Sequence, residues 1–364
     1  MATDPKLAVV LGTRPEIIKL APLIRVCQDR SIPFIQIHTG QHYSESLDDV
    51  FFERLDLPQP EYDLAIGSRS HGAQTGAMIE NIEAVLEDEE PETVVVQGDT
   101  NSVLAGAIAA SKLSSVALAH VEAGLRSFDR TMPEEVNRRL TDHAADHLFP
   151  PTATARDNLL DENLPSDRIT VSGNTIVDAV EQHVTLARQE ATIHTTLDLD
   201  APYALLTAHR AENVDDSDRF RALLDGVATA ARKQNLDVYY PVHPRAESRL
   251  AEFDIEVPSP INCIEPQDFF DFLALEDRAE IVFTDSGGVQ EEACILQTPC
   301  VTLRETTERP ETLDVGANRL VGVETADIVT GVDAVLGRGT DWDNPFGDGT
   351  AAEQILDVLE SNHD

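Results

Sequence analysis

Three carboxylates standing just past the ends of apolar runs are the residues of this chain best placed to do chemistry: Asp99, Glu122 and Glu134. Val94-Val95-Val96 stops at Gln97-Gly98-Asp99-Thr100, and a pattern of small residues over 102–112 then reads as a helix. A second apolar run, 116–119, stops at His120-Val121-Glu122-Ala123-Gly124, and Met132-Pro133-Glu134-Glu135 opens a further helix. Strand, helix, strand, helix is the rhythm of a parallel sheet, whose ligands sit outside the carboxyl ends of the strands. The spacing therefore predicts that Asp99, Glu122 and Glu134 converge on one crevice with His120 and Arg126, a poor core but a good proton-transfer site. Like charges grouped this closely should push at least one carboxyl upward.

Anion-binding groups accompany them. Gly12-Thr13-Arg14-Pro15-Glu16 turns sharply from a strand (7–11) into a helix, with Pro15 suited to a first turn. Arg14 and Lys19 then lie near that helix N-terminus, where phosphate oxygens are readily held. No G-x-G-x-x-G fingerprint is present, which argues against a nicotinamide enzyme. Later in the chain Ser286-Gly287-Gly288 precedes a helix carrying Glu291 and Glu292, so N–H groups can cradle a phosphate while a carboxylate accepts from ribose hydroxyls. His209-Arg210, after another strand, adds cationic or hydrogen-bonding groups. His143 and His147 stand four apart on a helical pattern but lack the glutamate of H-E-x-x-H, so packing is the better reading. Asp99 has no D-x-D partner for Mg²⁺. No metal and no cofactor is predicted.

The elements that must position these residues recur twice. Strands at 7–11 and 34–38, a polar loop Ser70 to Gly76 opening a helix to about residue 90, the central stretch 94–149 and a helix from Pro150-Pro151-Thr152-Ala153 make a first Rossmann-like domain, residues 1–172. The polar stretch 181–200, without strong strand signals, reads as an entry helix and linker. Strands at 203–207, 237–241, 261–264, 281–284 and 300–303 make a second, residues 173–348, and a helix at about 349–361 is expected to cross back onto the first. The fold class is α/β, with two parallel sheets facing a central cleft.

Composition narrows the function. At 364 residues the chain is too long for one ordinary core. It lacks a basic segment followed by a long apolar run at its start, and no apolar run approaches the roughly 20 residues of a membrane span, so a cytoplasmic protein is expected. The net charge of −39, with only Lys6, Lys19, Lys112 and Lys233 as lysines, excludes a nucleic-acid binder and points to a saline host. Cys27, Cys263, Cys294 and Cys300 form no C-x-x-C pair.

Taken in order, Gly12-Thr13-Arg14-Pro15-Glu16, Thr39-Gly40-Gln41-His42, Gly98-Asp99-Thr100, His120-Val121-Glu122-Ala123-Gly124-Leu125-Arg126, Pro133-Glu134-Glu135, Gly173-Asn174-Thr175, His209-Arg210, Thr284-Asp285-Ser286-Gly287-Gly288-Val289-Gln290-Glu291-Glu292 and Thr306-Thr307-Glu308-Arg309-Pro310 resemble the non-hydrolysing UDP-N-acetylglucosamine 2-epimerases. Each piece is weak by itself; nine in order across the chain are specific. The resemblance implies the GT-B fold, a nucleotide sugar bound between the domains, a homodimer, and supply of cell-surface polysaccharide or glycan synthesis. It also implies UDP elimination to 2-acetamidoglucal and re-addition with the C2 proton on the other face. Asp99, Glu122 and Glu134 would be the acid/base and sugar-contacting carboxylates, their roles undivided, with His209 near the phosphates. Arg14, Lys19, Ser286, Gly287, Gly288 and Arg309 would hold diphosphate and sugar, Glu292 the ribose, and Gln267 with Phe272 the uracil.

One departure stands out. Bacterial members bind a second UDP-GlcNAc as activator partly through a Q-H-x-Q loop, which here reads Gln41-His42-Tyr43-Ser44; Arg210 and His243 match other positions of that candidate regulatory site. His71-Gly72-Ala73-Gln74-Thr75-Gly76 and Leu125-Arg126-Ser127-Phe128 also resemble epimerases of UDP-2,3-diacetamido-glucuronic acid, the alternative substrate. A GT-B glycosyltransferase, a hydrolysing relative and a non-catalytic UDP-sugar sensor are the readings from other classes.

Overall fold

A computed structural model describes residues 6–41 and 52–361. The chain divides into two compact units, Met1–Ala179 with Phe346–Asp364, and Val180–Pro345.

In the first unit the elements run β1 (Leu7–Leu11), α1 (Arg14–Arg30), β2 (Phe34–His38), β3 (Tyr62–Asp63), α2 (His71–Glu89), β4 (Thr93–Gln97), α3 (Asn101–Ala110), β5 (Ala117–Val121), α4 (Pro133–Ala144), β6 (His147–Phe149), α5 (Ala153–Asp161) and α6 (Thr175–Glu190), whose first residues belong here. Among the described residues the strands form one parallel sheet in the order β3-β2-β1-β4-β5-β6. Polar and apolar residues do not alternate along its central strands. β1 is apolar throughout and β4 through its middle, and both are buried along their whole length, as parallel strands between helix layers must be. The core packs Val10, Val94, Val96 and Leu118 against Met78, Ile82 and Val103.

The second unit continues with α7 (Ile193–Thr196), β7 (Tyr203–Thr207), α8 (Ala211–Val214), α9 (Ser217–Gln234), β8 (Asp237–Pro241), α10 (Pro244–Glu252), β9 (Ile261–Ile264), α11 (Phe269–Arg278), β10 (Ile281–Thr284), α12 (Gly287–Ile295), β11 (Cys300–Thr302), α13 (Pro310–Asp314), β12 (Asn318–Leu320) and α14 (Thr325–Arg338). Its parallel sheet reads β12-β11-β10-β7-β8-β9 among the described residues. Both units thus reverse direction at their first strand, between β1 and β4 and between β7 and β10, which is where doubly wound sheets open to ligands. Two Rossmann-like units of this kind are the GT-B class expected from the sequence.

The final helix, α15 (Ala351–Ser361), belongs to the first unit. Asp178 caps it, accepting from the N–H of Ala352 at 2.9 Å and of Ala351 at 3.3 Å. Arg30 pairs with its Asp357 at 2.6 Å.

Two local expectations are corrected. The polar segment Ser70 to Gly76 is helix rather than loop from His71 onward, because Gln74, Met78, Ile82 and Val85 give α2 a buried face that outweighs Gly72 and Gly76. His143 and His147 do not share a helix: α4 ends at Ala144, and the Asp146 N–H joins the Leu118 carbonyl at 2.9 Å, starting β6.

Candidate active site

The β4 and β5 ends in the first unit hold two charge networks, not one carboxylate cluster. Glu122, on a backbone with φ of +66°, sits in the left-handed region that a non-glycine residue enters only when its surroundings force it. Its side chain is buried and wrapped by donors. Lys19 Nζ, reaching from α1, donates to Oε1 at 2.5 Å, Asn174 Nδ2 donates to the same oxygen at 3.1 Å, and Gln97 donates to Oε2. Asp99 lies two residues beyond Gln97 and takes its own cation: Arg138 Nη1 donates to Oδ2 at 2.5 Å. Arg138 is in turn held by Glu135 at 2.9 Å and Ser127 at 3.1 Å. Burial would raise the Glu135 carboxyl, but the Ser127 N–H, Arg138 and Arg139 hold it below the usual range. Glu134 is exposed in the first turn of α4, one turn before Arg138 on the same helix face.

His120 and Arg126 do not join these carboxylates. They converge instead on Asp142, which is wholly buried: His120 Nδ1 lies 2.7 Å from Oδ1 and Arg126 Nη2 2.7 Å from Oδ2. The other His120 nitrogen is 2.9 Å from the Gly98 carbonyl, so the ring braces the Gly98-Asp99 turn from beneath. Burial alone would raise the Asp142 carboxyl; His120 and Arg126 outweigh it and hold it low.

Glu16 is a further buried acid at this edge. It accepts from the Gly12 N–H at 2.8 Å, Thr13 Oγ1 at 3.0 Å and Thr100 Oγ1 at 2.5 Å, tying the turn that carries Arg14 to the one that carries Asp99. Burial dominates and pushes its carboxyl up to about 7, the three donors opposing. Gly12 is required sterically, since a Cβ there would come within 2.0 Å of Thr39 Oγ1. Gln41, expected in a regulatory site, spends its side-chain carbonyl on Ser102, accepting from N at 3.1 Å and Oγ at 2.8 Å. His42 lies outside the described residues.

In the second unit the β7 and β10 ends meet through Asp285, which is fully buried. It accepts from the backbone N–H groups of His209 and Arg210, both at 3.0 Å, and from Asn213 Nδ2 at 3.1 Å; the His209 ring nitrogen Nδ1 is 3.1 Å away. These contacts outweigh burial and keep the Asp285 carboxyl low, while burial, then His209, lowers His243, whose ring lies 5.6 Å from that of His209. Arg304 and Glu308 form a bidentate pair at 3.0 Å, which overcomes burial and holds Glu308 down at about 2. Arg309 Nε donates to buried Glu291 at 2.5 Å.

Gly287 and Gly288 open α12 with ordinary φ angles, and a Cβ on either would meet nothing closer than 3.9 Å. The fold does not need glycine there. The space at the helix N-terminus is open, and Ser286 leaves its first N–H groups without a side-chain cap. Gln267 and Phe272 are half-buried at and within α11, and Gln267 donates to the Glu265 carbonyl at 2.5 Å.

Gln97, Asn174, Arg138, Glu16 and Asp285 are not singled out as site residues by the sequence. Asn174 and Gln97 carry a signal there, being polar groups beside the Gly173 and Gly98 turns; Asp285 and Glu16 stand only as parts of longer motifs.

Two doubly wound units, one with ion-paired carboxylates at the ends of neighbouring strands and one with an open glycine-led helix, define a nucleotide-sugar enzyme of the GT-B class. The family model of UDP-N-acetylglucosamine 2-epimerases matches residues 25–360. A UDP-N-acetylglucosamine 2-epimerase of Methanocaldococcus jannaschii is 50% identical over 97% of this chain and 98% of its own length. The crystal structure of the Methanocaldococcus jannaschii UDP-GlcNAc 2-epimerase with UDP-GlcNAc and UDP matches with a TM-score of 0.90, covering 98% of this chain and 99% of that one. A UDP-2,3-diacetamido-2,3-dideoxy-D-glucuronate 2-epimerase of Pseudomonas aeruginosa is 38% identical over 97% of this chain and 99% of its own length. The chain belongs to the UDP-N-acetylglucosamine 2-epimerase family and is an isomerase. Among the described residues no helix is long and apolar enough to cross a membrane.

Proposed function

We propose that the chain reversibly interconverts UDP-GlcNAc and UDP-ManNAc without a cofactor. A carboxylate takes the C2 proton, the C–H electron pair becomes the C1=C2 bond of 2-acetamidoglucal, and the C1–O bond breaks with its electrons leaving on UDP. Re-addition delivers UDP to C1 and a proton to the opposite face of C2. The observation that carries this reading is the pairing of Glu122 with Lys19 beside that of Asp99 with Arg138, two carboxylates each held by its own cation at adjacent strand ends. Asp99, Glu122 and Glu134 share the acid, base and sugar-contacting roles, undivided among them. His209, Arg14, Lys19, Ser286, Gly287, Gly288 and Arg309 serve diphosphate and sugar, Lys19 also orienting Glu122. Glu292 takes the ribose and Gln267 with Phe272 the uracil. His42, Arg210 and His243, with Gln41 as a scaffold, form the regulatory site.

The functional domains are 1–172 and 173–348, and the enzyme works in the cytoplasm of a cell rich in salt. It acts as a homodimer, a reading supported by the exposed Val136 and Leu140 one turn apart on α4 and by exposed Phe128 in the segment that leads into it. A concentration-independent monomer by light scattering would refute that. The 38% identity to the diacetamido-glucuronate enzyme keeps that sugar as the second reading.

Proton NMR with UDP-GlcNAc in D₂O at molar KCl tests the function. UDP-ManNAc bearing deuterium at C2 is expected, and Glu122→Gln or Asp99→Asn should slow it by about 10²- to 10⁴-fold. Turnover of only the diacetamido-uronic nucleotide would move the substrate; silence with both would discard the epimerase reading.

A further inference from the structure

Glu276, near the end of α11, is wholly buried, and neither of its carboxyl oxygens meets a hydrogen-bond donor among the described residues. A buried carboxylate left in that state would be among the costliest groups a fold can carry. What its side chain does meet is the carboxyl of Glu292, with which it is in hydrogen-bonding contact. Thr298 clamps the two helices at this point: its Oγ1 donates to the Glu276 carbonyl at 3.1 Å and its N–H to the Ala293 carbonyl, next to Glu292, at 2.9 Å. Two carboxyl groups in hydrogen-bonding contact must share a proton, since neither carboxylate can donate. The buried partner keeps it, because Glu292 is only half-buried and its charge is the better hydrated.

We propose that Glu276 stays neutral and donates its proton to Glu292, fixing the one outward carboxylate that accepts the two ribose hydroxyls of the uridine nucleotide. Burial and then the Glu292 charge push the Glu276 carboxyl well above the usual range, and its other titratable neighbours, Asp277 and Cys300, favour the same neutral form. The neighbouring acid shows the contrast: Glu291 is equally buried but takes Arg309 as its partner. Glu276 is thus a positioning residue for nucleotide specificity. The role rests on the assignment of Glu292 to the ribose made above.

Calorimetric binding of UDP and 2′-deoxy-UDP to the full chain tests it. Loss of one charge-assisted hydrogen bond should make the wild-type chain prefer UDP by about 10- to 100-fold. Glu276→Gln retains a donor and should keep that preference within about threefold, whereas Glu276→Met should erase most of it. A residue serving packing alone would weaken both nucleotides alike, so an unchanged preference in Glu276→Met overturns the role. Infrared difference spectra between wild type and Glu276→Gln should show the carbonyl stretch of a protonated buried carboxyl, and its absence would also overturn it. If the wild-type chain binds UDP without preferring it, the ribose assignment of Glu292 fails and this role with it. If it does not bind UDP, the nucleotide-sugar reading fails.

Discussion

The strand ends that carry the candidate site in the two units are built on opposite electrostatic plans. In the first unit the β4 and β5 ends are filled with finished ion pairs, Lys19 with Glu122 and Arg138 with Asp99. In the second, buried Asp285 draws the His209-Arg210 backbone inward, and Gly287-Gly288 leave open space at the start of α12. One half holds charge ready; the other holds room and donors ready. Proton transfer needs groups whose charge and orientation are set before the substrate arrives, and preorganisation of that kind is supplied by buried partners. Diphosphate binding needs vacancy and N–H groups, which partners would block. Of the three carboxylates expected to cluster, Asp99 and Glu122 each take their own cation and Glu134 is exposed on α4.

Substitutions on either side should separate the plans. The largest effect is expected from Lys19→Met, which strands the buried Glu122 carboxylate. Breaking one side of a buried pair costs about 3–5 kcal/mol, so the urea midpoint should fall sharply along with turnover. An unchanged midpoint would mean that Lys19 serves only the ligand. Next is Glu16, whose folded carboxyl titrates at about 7 against an ordinary 4.5. The unfolded chain gives up this proton first, so the group's contribution to stability is complete below pH 4.5 and is lost as pH rises through 7. The loss amounts to roughly 3 kcal/mol. Glu16→Gln should flatten the melting-temperature profile across that window, and an unaltered slope would remove Glu16 as its source. The smallest effect should come from Gly288→Ala, for which the fold has space. Its urea midpoint should match wild type, while UDP binding weakens by about 10-fold as the new methyl group intrudes on the ligand's approach. A destabilised variant with normal binding would reverse the contrast.

Much of this architecture is legible in the sequence. The strands 203–207, 237–241, 261–264 and 281–284 appear at the limits read from their apolar runs, because a short buried strand ended by turn residues is a local signal. β3, β6 and β12 carry no such signal: each has two or three residues, and they form by pairing with a sheet already present. The helical pattern through His143 and His147 fails for the same reason, since the demand of β5 for a partner at Asp146 outweighs a local preference.

The amino-acid order alone determined which residues stand at strand ends, where glycine opens a helix, and that the chain resembles one family over nearly its whole length. Which acid meets which cation was decided only by the tertiary structure. Lys19 and Glu122 are 103 residues apart, and Arg138 and Asp99 are 39 apart. Charge carries no direction in a sequence. It acquires one only when the sheet brings distant strand ends side by side and burial makes an unpaired carboxylate too costly to leave alone.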